Sequence, residues 1–366
     1  MVDSRKSALV QLKEYGLCRY CLARQTGQAS KKHVEKCHIC RGLFDNLDPI
    51  AEKALAAAEQ YQFDTFLVGA TLATQFFERE DSLRARLKIR GKESVKSQLT
   101  RELGQRLARM TGRRVDFSRP DVAVNVTIDK DGSAEATAHA RPIALEGRYT
   151  KKARGLPQKQ ERCPMCQGKG CNLCDNTGFY GDGSVEAILA RHIAKATGGQ
   201  APRFSWVGSE DQSSLVLGKG RPFYVKVSDP HVRKPKKRRF SEAGITATIT
   251  GVLDDVPDTQ ARFTVRTKIA CTCERPVTGE DISKLKSLAG AEVKFESRAK
   301  VASKKVYSAQ AKKTGDREFE LTIKADGGLP IKQFVGGVEY MEPNVSGLLG
   351  AKCECATFDI LSVQFQ

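Results

Sequence analysis

No apolar run in this sequence approaches the length needed to cross a bilayer. The longest candidate, FLVGATLATQFF from Phe66 to Phe77, is short and carries polar breaks. No membrane association by a spanning helix is therefore expected. A secretory leader is missing as well: MVDSRKSALVQLKEYG has an early acid and no apolar core, so an intracellular, cytoplasmic protein is expected. No period of about 20 to 50 residues repeats, which argues against a solenoid or propeller. Acid is scarce relative to base, with 43 Asp and Glu against 61 Lys and Arg, a net charge of +18. That balance points to a polyanionic partner, nucleic acid before an anionic membrane surface.

No cysteine is left unpaired in spacing. The twelve fall as Cys18/Cys21, Cys37/Cys40, Cys163/Cys166, Cys171/Cys174, Cys271/Cys273 and Cys353/Cys355. In a reducing compartment such a count signals metal or catalysis rather than disulfides. CRYC and CHIC stand 15 residues apart, the spacing of a four-thiolate structural zinc site, so Cys18, Cys21, Cys37 and Cys40 are expected to hold zinc. His33 and His38 are alternates of lesser weight. CPMCQGKGCNLC gives a second set, Cys163, Cys166, Cys171 and Cys174, with Gly168 and Gly170 allowing the sharp reversal between pairs. Neither set leaves an open coordination position in its pattern, so both are read as structural. The CTC and CEC pairs would form a third site only if their strands are neighbours; otherwise they are small residues packed in a sheet.

At 366 residues and 40% hydrophobic content, the chain is long enough for two folded domains. PIAEKALAAAEQYQF reads as a helix, Phe63 to Ala70 as a short buried strand, and Asp121 to Asp129 as an alternating strand. Val95, Leu99, Leu103 and Leu107 recur at i+4 within a helix over Lys92 to Met110. GRYTKKARGLPQKQER is basic and aperiodic, and the domain boundary is set there: 1–155 and 156–366, the second carrying the cysteine knuckle 163–174. Ser184 caps a helix running to Thr197. Strands are expected over Pro222 to Ser228, Ile245 to Leu253, Ala261 to Ala270, Val293 to Lys300, Lys305 to Ala311, Glu318 to Ala325 and Thr357 to Phe365. Thr278 and Asp281 form a capping box for one intervening helix. The second half is accordingly α+β with a mixed or antiparallel sheet.

GSEDQSSLVLGKGRPF, from Gly208 to Phe223, resembles the nucleophile motif of the Pus-ten family of tRNA pseudouridine synthases, whose usual form is close to GREDxDVRMLGxGRPF. KKVYSA (Lys304 to Ala309), GLPIKQFVGG (Gly328 to Gly337) and the cysteine knuckle followed by GSVEAIL resemble further segments of that family, in the same order. The resemblance implies a zinc-bearing THUMP-like RNA-binding domain joined to a pseudouridine synthase domain, acting on uridines 54 and 55 of the tRNA T-loop. It implies Asp211 as catalytic aspartate, Tyr307 as the tyrosine against the target base, Lys332 as the basic partner of the aspartate and Ile331 as its apolar neighbour. The sequence departs from the pattern at Ser209 and Ser213, where arginine and a second aspartate are usual. It departs again at GLP and GGV, where GTY and HGD are usual.

The run RKPKKRR supplies Arg233, Lys236, Lys237, Arg238 and Arg239 as candidate phosphate contacts. Arg148, Lys151, Lys152 and Arg154 form a second basic cluster, and Arg221 of GRPF is assigned to the RNA as well. The expected partner is the tRNA T-arm, bound by a monomer with structural zinc and no organic cofactor. The alternative is a zinc-containing tRNA-binding protein that has lost activity. A THUMP-bearing methyltransferase or sulfur-inserting enzyme is disfavoured, because no Gly-rich dinucleotide turn or pyrophosphatase-like loop occurs.

Overall fold

The computed structural model describes residues 10–365 apart from 13, 29–33, 35, 237, 259–261, 298, 299 and 339. The chain divides into two compact units, one of residues 1–142 with 229–233, the other of 143–228 with 234–366. The stretch 143–155, assigned from sequence to the first domain, runs in the second unit. No helix among the described residues is long and apolar enough to cross a membrane.

In the first unit, β1 (Thr65–Leu72), β2 (Arg114–Val115), β3 (Val122–Ile128) and β4 (Ala134–Ala140) form a sheet ordered β2-β1-β3-β4. β1 is parallel to both neighbours, and β4 returns antiparallel to β3. The alternation read in β3 buries Val122, Val124, Val126 and Ile128 and exposes the residues between. The helix Val95–Thr111 packs on β1, capped by Ser94, whose side chain accepts the Ser97 N–H. Its Leu99, Leu103 and Leu107 are fully buried, each worth about 2 kcal/mol of removed apolar surface. The apolar stretch from Phe66 is divided between β1 and the helix Thr74–Leu87.

The second unit is built on β5 (Ile143–Lys151), β6 (Glu161–Arg162), β7 (Phe179–Tyr180), β8 (Gln200–Trp206), β9 (Val216–Ser228), β10 (Arg239–Glu242), β11 (Ile245–Leu253), β12 (Phe263–Cys273), β13 (Glu292–Ser297), β14 (Lys300–Lys313), β15 (Glu318–Asp326) and β16 (Cys353–Phe365). Ten of these form one sheet, ordered β10-β11-β5-β9-β16-β12-β15-β14-β13, with β8 also paired to β9. β6 and β7 pair separately beside the cysteine knuckle. Expected and observed strands agree at β11. The strand begun from sequence at Ala261 has its first residue outside the described set and runs on to Cys273.

The first residues of the stretch read as an aperiodic linker, Gly147 to Lys151, are strand, because β5 is paired on both sides, to β9 and β11. Helices Val185–Thr197 and Gly279–Lys286 carry the caps expected of them: Ser184 Oγ accepts the Ala187 N–H at 3.0 Å, and Thr278 and Asp281 make a reciprocal capping box. Among the described residues, every pairing in the large sheet is antiparallel except one. β9 and β16 run parallel where Val216 faces Ile360. The turn bearing the acidic pair leads directly into β9 at that junction, so the sheet's topology fixes where it emerges.

Candidate active site

Residues 208–213 are held from beneath by two buried cations. Gly208 opens the turn at φ +70°, and a Cβ there would meet the Phe263 ring at 2.9 Å. Arg221 is 2% exposed and donates to the carbonyls of Val207 (2.6 Å) and Ser209 (3.0 Å). Lys151, fully buried, donates from Nζ to the carbonyls of Leu156 (2.9 Å), Asp211 (3.2 Å) and Gln212 (3.4 Å). The Glu210 side chain, also fully buried, offsets these charges: Oε1 lies 3.2 Å from Lys151 Nζ and Oε2 lies 3.2 Å from Arg221 Nε. Oε1 and Arg221 Nε make no aligned hydrogen bond, so these contacts act as ion pairs. The Tyr149 hydroxyl donates to Glu210 Oε2 at 2.8 Å and accepts from Gln158. The acidic pair thus has two fates: Glu210 points into the core and Asp211 points out.

Asp211 is partly exposed and meets Lys332, which enters from the first turn of the helix Ile331–Gly336. Lys332 Nζ donates to Oδ2 at 2.7 Å. Ser213 supplies the other oxygen's partners, its hydroxyl donating to Oδ1 at 2.7 Å and its N–H at 2.9 Å. The hydrogen bond from Lys332, then those from Ser213, hold the Asp211 carboxyl down at about 2. Asp211 in turn raises the Lys332 ammonium pKa. Both residues line a cleft of about 480 Å³ whose walls include Phe263, Ile331, Asp326 and Phe358. Tyr307 lies on β14, with its hydroxyl donating to Asp326 Oδ1 at 2.9 Å. The structure therefore brings Asp211, Lys332 and Ile331 together at one cleft, and ties Tyr307 to it through Asp326.

The basic residues divide by environment. Lys152, Lys236, Arg238 and Arg239 are exposed; Lys237 lies outside the described residues. Lys151 and Arg221, expected from sequence to contact RNA, are a correction: both are buried under the turn and engaged by Glu210 and by carbonyls, so neither presents a charge to solvent. Arg148 is spent on the carbonyls of Lys219, Gly220 and Val363. Arg154 forms a bidentate pair with Asp359 at 2.8 and 2.9 Å and also donates to the Ser213 carbonyl. In the first unit, Arg233 pairs with Asp121 at 3.2 Å and donates to the Arg141 carbonyl.

Two cysteine groups converge. In Cys18, Cys21, Cys37 and Cys40, and in Cys163, Cys166, Cys171 and Cys174, all four sulfurs lie within 4.8 Å of one another. Several separations are 3.7 Å, close to the edge of about 3.8 Å that a tetrahedron of 2.3 Å metal–sulfur bonds requires. Both groups can therefore hold a metal. Gly168 and Gly170 have positive φ at the reversal, as the sequence reading required. His38 packs edge-on against Tyr15, and His33 lies outside the described residues. Cys271 faces Cys355 and Cys273 faces Cys353 across β12 and β16. These four are not among the converging groups of the described residues, because two residues of strand, about 7 Å, separate one pair from the other.

Sequence reading missed Glu210 as an anchor, Tyr149 and Asp326. A signal for Tyr149 was present: period two along β5 buries Leu145, Gly147, Tyr149 and Lys151 on one face. Asp326 left no such trace. Family models match most of the chain: the Pus10 THUMP domain, archaeal, over residues 50–129, and Pus10, C-terminal, over 144–364. The tRNA pseudouridine synthase Pus10 of Cenarchaeum symbiosum is 35% identical, over 94% of this chain and 89% of that one. Those of Nitrosopumilus maritimus and Pyrococcus furiosus are 32% and 30% identical, each over 96% of both chains.

Proposed function

Since the chain belongs to the Pus10 family of tRNA pseudouridine synthases, we propose that it isomerises uridine to pseudouridine in the tRNA T-loop, at position 54, position 55 or both, with Asp211 as the catalytic carboxylate. The observation that carries this reading is the Asp211–Lys332 pair at 2.7 Å, at a cleft and on a clamped turn. The reaction breaks the C1′–N1 bond and rejoins the base through C5, with no redox step. An ionised carboxylate either attacks C1′ or removes a sugar proton to give a glycal. Lys332 and Ser213 keep Asp211 ionised for either route. The target base leaves its stack to enter the cleft, beside which Tyr307, hydrogen-bonded to the cleft residue Asp326, offers an aromatic face. Incubating the protein with an unmodified tRNA transcript and mapping pseudouridine tests the assignment. Tight binding with no pseudouridine in any T-loop would instead favour an inactive tRNA-binding protein.

The division of labour proposed from the family is an N-terminal THUMP-like domain that binds RNA, ending at residue 142 rather than 155, and a remainder from residue 143 that carries the chemistry. Zinc is the metal proposed for both four-cysteine groups, which would be held as closed, structural thiolate sites. Protein purified without added metal should contain two zinc ions per chain by elemental analysis; fewer than one would remove both assignments. A chelator present during the assay should leave the chemical step untouched.

Phosphate contact is proposed for Lys152 and for the run Lys236, Lys237, Arg238 and Arg239, rather than for the buried Lys151 and Arg221. Replacing the four residues of the run with serine should lower the slope of log affinity against log salt by up to about 3.6, since each phosphate contact releases about 0.9 counterion. An unchanged slope would make the run a bystander.

A further inference from the structure

Among the described residues, three carboxylates line the cleft: Glu210, Asp211 and Asp326. The proposed isomerisation needs a carboxylate nucleophile or base at the sugar. It also needs an acceptor for the C5 hydrogen, which departs as a proton once C5 has bonded to C1′. Glu210 cannot serve, being fully buried and paired with Lys151 and Arg221. Asp211 is a weak acceptor, since Lys332 and Ser213 hold its carboxyl at about 2.

Asp326 is the remaining carboxylate, and β14 is shaped around it. Its Oδ2 accepts the Lys305 N–H at 2.8 Å and its Oδ1 accepts the Tyr307 hydroxyl at 2.9 Å. Tyr307 is aimed there by a β-bulge. The register of β14 against β15 slips between Val306 and Ser308, leaving Tyr307 as the extra residue. A bulge releases its residue from the alternation of the strand and re-aims the side chain. Val306 is fully buried, while Tyr307 is 39% exposed with its hydroxyl on a cleft residue.

We propose that Asp326 is the terminal acceptor of the C5 proton, reached through Tyr307. This step rests on the isomerase reading above. The C5–H bond breaks, and its proton passes to Tyr307 Oη as the phenolic proton passes to Asp326 Oδ1. The C5–H electron pair becomes the C5–C6 double bond of the product, and the former C6–N1 π pair moves to N1, which takes a proton from water. Asp326 then returns its proton to solvent. No electron is gained or lost overall, and no co-reactant is required.

The test is Asp326→Asn in the full chain, assayed on tRNA transcribed with 5-deuteriouridine or ordinary uridine. The Asn carbonyl can still accept the Tyr307 hydroxyl, so the ring keeps its partner while the proton acceptor is lost. The single-turnover rate should fall about 100-fold or more, tRNA affinity should stay within a few-fold, and a C5 deuterium isotope effect should appear or grow. Tyr307→Phe should show the same isotope effect and carries the test if Asp326→Asn does not fold. A variant that turns over at an unchanged rate, or slows with no change in the isotope effect, overturns the relay. Absence of pseudouridine formation by the unsubstituted protein overturns the isomerase reading, and the relay with it.

Discussion

Asp211→Asn is expected to abolish pseudouridine formation, lowering turnover by at least about four orders of magnitude, while tRNA binding stays within a few-fold. Asparagine preserves size, and its carbonyl can still accept a hydrogen bond from Lys332 or Ser213. What disappears is the negative charge needed to attack C1′ or take a sugar proton. Near-normal turnover in this variant would return the acidic turn to an ordinary solvated loop. Lys332→Met is the graded companion. Its ammonium is the first cause of the depressed Asp211 carboxyl. Without it, the Asp211 pKa climbs back toward the usual carboxylate value. In the proposed role the group acts in its ionised form, so the acid limb of the rate profile should move to higher pH. The rate should fall at every pH, because the carboxylate loses the partner that orients it.

Glu210→Gln should act on stability rather than on the chemical step. It leaves Lys151 and Arg221 buried with no countercharge, a situation that costs about 3 to 5 kcal/mol. In a unit of this size that corresponds to about 10 °C in melting temperature. The folded fraction should still turn over, because Asp211 keeps its own partners, Lys332 and Ser213. Adding Lys151→Met removes one of the stranded charges and should recover part of the loss, although the carbonyls of Asp211 and Gln212 then lose a donor. Equal melting temperatures for Glu210→Gln and the unsubstituted protein would show that the cluster contributes nothing.

The cysteine groups were legible in the sequence because metal-ligand spacing is local: two sulfurs two residues apart announce a shared ion wherever the chain later goes. Helix caps at Ser184 and Thr278 were legible for the same reason. The Asp211–Lys332 contact spans 121 residues, and only the ordered motifs linked the two residues in advance. The fate of Lys151 and Arg221 was misread because a lysine or arginine in a basic chain is ordinarily a surface charge. The β5 alternation that buries Lys151 lies within a basic stretch whose composition resembles a linker. The bulge at Tyr307 was not legible at all. It arises from how β14 and β15 register, a property of two strands together and of neither alone.

The clamp under the turn has a consequence for how this motif can drift. Arg221 and Lys151 grip the carbonyls of Val207, Ser209, Asp211 and Gln212, and a carbonyl is the same whichever residue carries it. Position 209 can therefore trade the arginine usual in the motif for serine without loosening the turn's anchorage. Position 213 can trade aspartate for serine and still donate its N–H to Asp211. The letters a pattern search weighs most are partly interchangeable here. The positions expected to resist exchange are Glu210, whose carboxylate balances the cations, and Asp211, whose carboxylate faces the cleft.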